Sequence, residues 1–375
     1  MTGEWHKMTL GDFVALQRGH DLTEPQRKPG RVPVMGSAGQ NGFHDTALAK
    51  APGIVVGRSG ASFGQVHFCP NDFWPHNTGL YVTDFKGNDA RFAYYYLRSL
   101  DFDRYNSGSA QPSLNRNFIY PIPICVPEPT EQKTIAQFLG ALDDKIELNQ
   151  RMNETLEALA QTLFKSRFVD AAATKLPKGW RAGTLREVTE NLRRGIQPDE
   201  IKSSTPYIGL EHMPRRCIAL SDWGHADELE SNKFEFERGE ILFGKLRPYF
   251  HKVGVAPVDG VCSTDILVVR PKTPEWFGFV LGHVSSVELV NHTNAASTGT
   301  KMPRANWNDI ARFEVALPPE SLAAEFTATI RPMIDRIIAN IHESRTLAEL
   351  RDALLPKLLS GELRVPGVHT KEATK

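Results

Sequence analysis

The sequence predicts an α+β protein in which two similar domains are joined and held apart by two long antiparallel coiled-coil helices, related by a pseudo-twofold internal repeat. Three observations predict it. Apolar residues recur at 4-3 spacing over 134–163 and again over 326–354. The chain resembles itself at an offset of 191 positions. Short apolar runs bounded by glycine and proline fill the rest.

The repeat organises everything else. Of the 63 positions from 106 to 168, 13 carry the same residue 191 positions later. Gly108 matches Gly299, Pro112 matches Pro303, Asn115 matches Asn306 and Asn149 matches Asn340. Upstream, "IVVGRSGASFGQV" (54–66) matches "ILFGKLRPYFHKV" (241–253) at offset 187, and "VPVMG" (32–36) resembles "TPYIG" (205–209). The shifting offset implies loop insertions. The expected divisions are a first domain over 1–128, a first long helix over 129–170 and a second domain over 171–319. A second long helix with a C-terminal segment follows over 320–365, then a tail over 366–375.

Within the domains, "GIVVGR", "GLYVTDF", "EILFGK" and "DILVVRP" read as strands, and "ARFAYYYLRSL" and "EWFGFVLGHVSSVELV" as helices. Phe63 and Phe250 read as core.

The first long helix offers Thr130 as N-cap, with Glu131 and Gln132 in its first turn. Its seam is Ile135, Leu139, Leu142, Ile146, Asn149, Asn153, Leu156 and Leu163. The second seam runs through Phe326, Ile330, Met333, Ile337, Asn340, Ser344, Leu347, Arg351 and Leu354. Pro332 is expected to kink or delay the second helix. Pro356 is expected to end or bend it, with Gly361 as the stop. Antiparallel packing would set Asn149 and Asn153 opposite Asn340 and Ser344. Polar seam residues lower stability but fix register. Leucine at both 149 and 340 is therefore expected to raise thermal stability. The 39 residues from Thr130 to Phe168 would span roughly 58 Å at about 1.5 Å per residue, against about 34 Å for a turn of B-DNA.

Composition excludes much. The chain has 375 residues with 44 basic and 44 acidic side chains. The balance is also local, at 12 against 11 over 1–128 and 18 against 18 over 176–319. Bulk charge thus lends no support to nucleic-acid binding. Cys69, Cys125, Cys217 and Cys262 are far apart and suit neither a disulfide framework nor zinc. No P-loop, dinucleotide loop or Asp/Asn-Pro-Pro-aromatic loop of an amino-methyltransferase occurs. "PDEIK" (198–202) fuses the two halves of a nuclease-like pattern that a strand should separate. No catalytic or metal-ligating residue is expected. The N-terminus has no apolar h-region and no run is long enough to span a membrane, so a cytoplasmic location without a membrane partner is expected.

Two stretches carry a family resemblance: "VPEPTEQKTIAQFLGALDDKIELNQRMNETLEALAQTLFKSRF" (126–168) and "LRDALLPKLLSGELRV" (350–365). "ILFGKLRPYFHKV" and "NTGLYV" agree with them. The chain resembles the specificity (S) subunits of type I restriction–modification enzymes over essentially its whole length. The resemblance implies that each domain is a target recognition domain reading one half of a bipartite asymmetric double-stranded DNA sequence. It implies that the helices set a fixed unread gap and dock two methyltransferase (modification) subunits, with two motor-nuclease (restriction) subunits joining for cleavage. S-adenosylmethionine, ATP and Mg would then be held by those partners and no cofactor by this chain. The second helix departs from the pattern, opening with "PPESLAAEF" in place of "PEPTEQ".

Bases are read by a few donors, and phosphates by Arg, Lys, Ser, Thr or backbone amides. Two glycine-containing regions per repeat have that composition. "GRSGASFGQ" (57–65) offers Arg58 and Ser59, and its counterpart "GKLRPYFHK" (244–252) offers Lys245, Arg247, Tyr249 and Lys252. "NSGSAQPSLN" (106–115) offers Ser109 and Gln111, and "STGTKMPRAN" (297–306) offers Thr300, Lys301 and Arg304. Each is either a DNA contact or solvated surface. Asn115 and Asn306 read as turn caps. In "WPHNTGL" (74–80), Asn77, with His76, contacts DNA or closes a turn.

Overall fold

A computed structural model describes residues 5–108, 111–227, 229–297 and 302–365. The chain forms two compact units, Met1–Asp144 with Ala348–Lys375, and Lys145–Leu347. Both are mixed α and β.

In unit 1 the strand His6–Thr9 pairs antiparallel with Pro123–Val126. A four-stranded antiparallel sheet runs in the order Ala15–Arg18, Gly79–Asp84, Gly53–Gly57, Val66–Cys69. A three-stranded sheet is built on Val32–Gly36. Strand Gly53–Gly57 is buried throughout because alternate side chains point to opposite faces. Ile54 and Val56 meet Phe13, Phe92 and Tyr95, whereas Val55 meets Met35, Phe73 and Tyr81.

Unit 2 has the same plan. Arg181–Thr184 pairs with Glu314–Leu317. The four-stranded sheet runs Thr189–Leu192, Ile266–Pro271, Ile241–Gly244, Val253–Val255. Ile241 and Phe243 enter one core and Leu242 the other. Strands Gly79–Asp84 and Ile266–Pro271 lie 187 positions apart, as do the helix starts Ala90 and Phe277. Pro123 and Glu314 open strands 191 positions apart, and Pro129 and Glu320 open the long helices at that offset.

Several expectations need correction. The first long helix is Pro129–Phe164, followed by a wider π turn over Lys165–Asp170. Pro129 is its first residue, since the Gln132 amide donates to the Glu128 carbonyl. Thr130 is therefore inside the helix and caps nothing. Proline suits that first position because its missing N–H would lack an intrahelical partner anyway. The second long helix runs unbroken over Glu320–Leu359, through both Pro332 and Pro356. Interior proline costs about 3 kcal/mol, but burying one Ile or Leu returns about 1.5–3 kcal/mol. Ile330 and Ile334 flank Pro332, and Leu355, Leu358 and Leu359 flank Pro356, all buried. Gly361, at φ +75°, follows as the left-handed stop. The stretch "EWFGFVLGHVSSVELV" is two helices, Phe277–Val284 and Val287–Ala296. Extended Ser286 divides them and caps the second by accepting from the Leu289 amide.

Unit 2 holds the centre of the helix pairing, which is antiparallel there. Asn340 Nδ2 donates to Asn153 Oδ1 at 2.9 Å. Asn149 Nδ2 donates to Ser344 Oγ at 3.2 Å and to Glu343 Oε2 at 2.9 Å. Lys145 Nζ donates to Asn149 Oδ1 at 3.1 Å and pairs with Glu343 at 3.1 Å. The expected amides meet, and a Lys–Glu pair unforeseen in the sequence completes the layer. Leu156, Leu163 and Met333 border the unit 2 core, which buries Ile330 and Ile337. Phe164 and Phe168 join that core against Phe279 and Phe326. In unit 1, Ile135 and Leu139 are buried with Leu355, Leu358 and Leu359, and Leu354 lies alongside. Leu142, Ile146 and Leu347 are half-buried.

Candidate nucleic-acid interface

The two regions singled out in each repeat are brought together by backbone bonds. In unit 1 the Leu114 amide donates to the Arg58 carbonyl, and Ser59 bridges Ser113. In unit 2 the Ala305 amide donates to the Lys245 carbonyl, and Leu246 bridges Arg304. Three further bonds recur. Gly57 to Gln65 matches Gly244 to Lys252, Arg58 to Thr78 matches Lys245 to Asp265, and Phe63 to Gly60 matches Phe250 to Arg247. The second loop folds tightly on itself. A Cβ on Gly108 would lie 1.8 Å from the Gln111 carbonyl oxygen, so only glycine fits there.

The side chains divide into several groups. Arg58, Lys245 and Arg247 are half-buried and meet no carboxylate among the described residues. Burial, and then the Arg18 charge, pull the Arg58 guanidinium below its ordinary range. Gln111 is exposed beside that turn. Arg304 is exposed and 3.4 Å from Asp265. Tyr249 is exposed, edge-on to Phe250. Ser109, Thr300 and Lys301 lie outside the described residues.

Two candidates are tied into the fold. Lys252 Nζ donates to the Leu210 carbonyl, so its donor is already engaged. The Asn77 side chain donates to Asp21 and its amide to the His20 carbonyl, which ties the 74–80 stretch to the segment at 20–21 rather than closing a turn. Asn115 and Asn306 accept from the Asn117 and Asn308 amides and cap short helices. Phe63 and Phe250 are half-buried rather than full core. Phe63 packs on the unit 1 core, whereas the Arg215 guanidinium carbon lies 4.0 Å from the Phe250 ring centroid. Sequence reasoning missed Arg215. The only available signal was the paired "RR" next to a buried methionine, Met213.

Among the described residues no cluster of His, Cys, Asp and Glu could hold a metal ion. No helix of the described residues is long and apolar enough to cross a membrane.

These features define a class: a duplicated α+β chain presenting one cationic loop pair per unit. Comparison with known proteins shows what the chain is similar to. Residues 2–158 match the model of the type I restriction modification DNA specificity domain. The MjaIX specificity subunit of Methanocaldococcus jannaschii, a type I restriction enzyme subunit, is 26% identical over 84% of this chain and 78% of its own length. The EcoDI specificity subunit of Escherichia coli is 24% identical over 96% of this chain and 89% of its own. The type I S subunit from M. genitalium shares the fold at TM-score 0.65, with 17% identity over 95% of this chain and 96% of that one. The chain is thus similar to type I restriction–modification specificity subunits in sequence, and to one of them in fold.

Proposed function

We propose that this chain is the sequence-specific DNA-reading, non-catalytic subunit of a type I restriction–modification complex. Each unit reads one half of a bipartite asymmetric target through its loop pair. The two long helices set the unread gap and dock two methyltransferase subunits, and two motor-nuclease subunits complete the restricting assembly. S-adenosylmethionine, ATP and Mg belong to those partners, and the complex works in the cytoplasm on double-stranded DNA. One observation carries this reading. In both units the same backbone bond and the same bridge join the two loops, three more shared bonds fix the first loop, and Arg58, Lys245 and Arg247 on it meet no carboxylate among the described residues. A duplicated scaffold with different side chains suits two different half-sites. Duplex contacts combine backbone-positioning donors with a few base-reading ones.

The test is methylation sequencing of a genome in cells carrying this gene with the methyltransferase gene that neighbours it. The expected result is a single split motif, two short halves around a fixed gap. Absence of any motif in an expressed, assembled complex would overturn the proposal.

A further inference from the structure

We infer that Arg215 is a DNA-contacting residue of unit 2, held by the turn 247–251 so that its guanidinium takes a pair of acceptors on DNA, a guanine O6/N7 edge or phosphate oxygens. The inference rests on the DNA-reading function proposed above.

The repeat itself supplies the first argument. Gly60 and Gly64 of unit 1 have φ of +82° and +76°. The residues 187 positions later are Arg247 and His251, both at φ +51°. The left-handed backbone persists, but glycine does not. For other L-residues that conformation is strained, because Cβ crowds the following carbonyl oxygen. Among the described residues only Lys86, Arg216, Arg247 and His251 are non-glycine at positive φ, and three of these four lie on the turn 247–251 or next to Arg215. Strain of this kind persists where the surroundings enforce it, and it clusters at functional sites.

The second argument is positioning. The Arg216 amide donates to the His251 carbonyl at 2.8 Å, joining two left-handed residues. On one side of Arg215, Met213 is buried. On the other, the Ile218 amide donates to both Glu157 oxygens at 3.0 and 3.1 Å. Arg215 is thus an exposed residue on a loop pinned at both ends.

The third argument is what its head group meets. It stacks at 4.0 Å on Phe250, and the Arg247 guanidinium carbon lies 5.9 Å from the same ring. Arg247 Nε is buried without an acceptor. Among the described residues the Arg215 guanidinium has no hydrogen bond or ion pair. Stacking fixes the plane of a guanidinium while leaving its in-plane donors free for a bidentate acceptor. Unit 1 has no cation stacked on Phe63 among the described residues.

The experiment uses the complete complex and duplexes carrying its methylated motif, scanned one base pair at a time. Arg215→Ala and Phe250→Leu are compared with the parent. A lost bidentate base contact is worth about 1–3 kcal/mol, roughly 5- to 150-fold. Arg215→Ala should weaken binding within that range through one half-site only, and where the acceptor is a base edge it should also flatten base preference there. Phe250→Leu, which keeps every charge, should act in the same direction. If 7-deazaguanine in that half abolishes the difference between parent and Arg215→Ala, the acceptor is the base edge. If a methylphosphonate abolishes it, the acceptor is a phosphate. Unchanged binding, or equal loss across both halves, would overturn the inference while leaving the DNA-reading function intact. A parent complex without any base preference would remove that function, and this inference with it.

Discussion

The two units share a backbone and differ in how much stability they give up for it. At the loop, unit 1 places Gly60 and Gly64 where the chain turns left-handed, and unit 2 places Arg247 and His251. Inside, unit 1 has Tyr96, whose hydroxyl donates to the Cys125 carbonyl. The residue 187 positions later is His283, whose Nε2 is buried without a partner. On the long helices the contrast reverses. Unit 1 holds Asp143 between Arg351 at 2.6 Å and the Tyr95 hydroxyl at 2.5 Å. The positions related by 191 are Ile334 and Ala160, both buried in unit 2. Duplication preserved the hydrogen-bonding frame, and side-chain chemistry then diverged where the frame tolerated it.

The comparison can be broken most severely at Asp143. Asp143→Leu should cost about 3 kcal/mol, because it leaves the half-buried Arg351 with Asp352 alone and the Tyr95 hydroxyl without its carboxylate. Copying the apolar arrangement of unit 2, with Asp143→Ile and Arg351→Ala together, should recover most of that in a urea titration. A double variant as unstable as the single one would show that the ion pair itself is required. Next is His283. Burial pushes its imidazole down to about 3 from the ordinary 6.5. The folded state therefore binds fewer protons than the unfolded one. Its contribution is whole above 6.5 and is lost as pH falls toward 3. By pH 5 the loss reaches about 2 kcal/mol at 1.36 kcal/mol per pH unit. His283→Phe should remove that acid sensitivity, and a melting curve still falling between pH 6.5 and 5 by as much as the parent's would refute it.

The amide layer gives a smaller effect. Asn153→Leu with Asn340→Leu removes both members of one hydrogen bond and should raise stability by about 1 kcal/mol. The sequence alone pointed to residues 149 and 340 together. Because Asn149 serves Lys145, Glu343 and Ser344 while Asn340 serves Asn153, that pair of changes orphans partners in two places and should lower the melting temperature. The smallest change is Arg247→Gly. Removing left-handed strain and adding the backbone entropy of glycine should net about 0.5–1 kcal/mol of stabilisation. The same variant should weaken DNA binding in one half-site, measured on the assembled complex.

Much of this was legible because periodicity and duplication are carried by residue order. The 4-3 seam located both long helices, and the offsets paired the loops before any geometry was known. What stayed hidden depended on tertiary partners. Pro332 and Pro356 look like breaks until the buried residues around them are seen. Ser286 divides a helix that its apolar pattern would continue. Lys252 and Asn77 have the composition of DNA donors, yet Leu210 and Asp21 already occupy them. Arg215 is invisible in a list of charges because its role comes from the ring beneath it.

The shared hydrogen bonds around residues 57–65 and 244–252 have a consequence for inheritance. Each loop enters and leaves its sheet through the same backbone donors and acceptors, which are indifferent to side-chain identity. Recombination between the two halves of such a gene, or with a relative's, could move a loop as a cassette without retuning the sheet that receives it. New preferences would then arise by exchange of a few contiguous codons rather than by slow substitution across a whole domain.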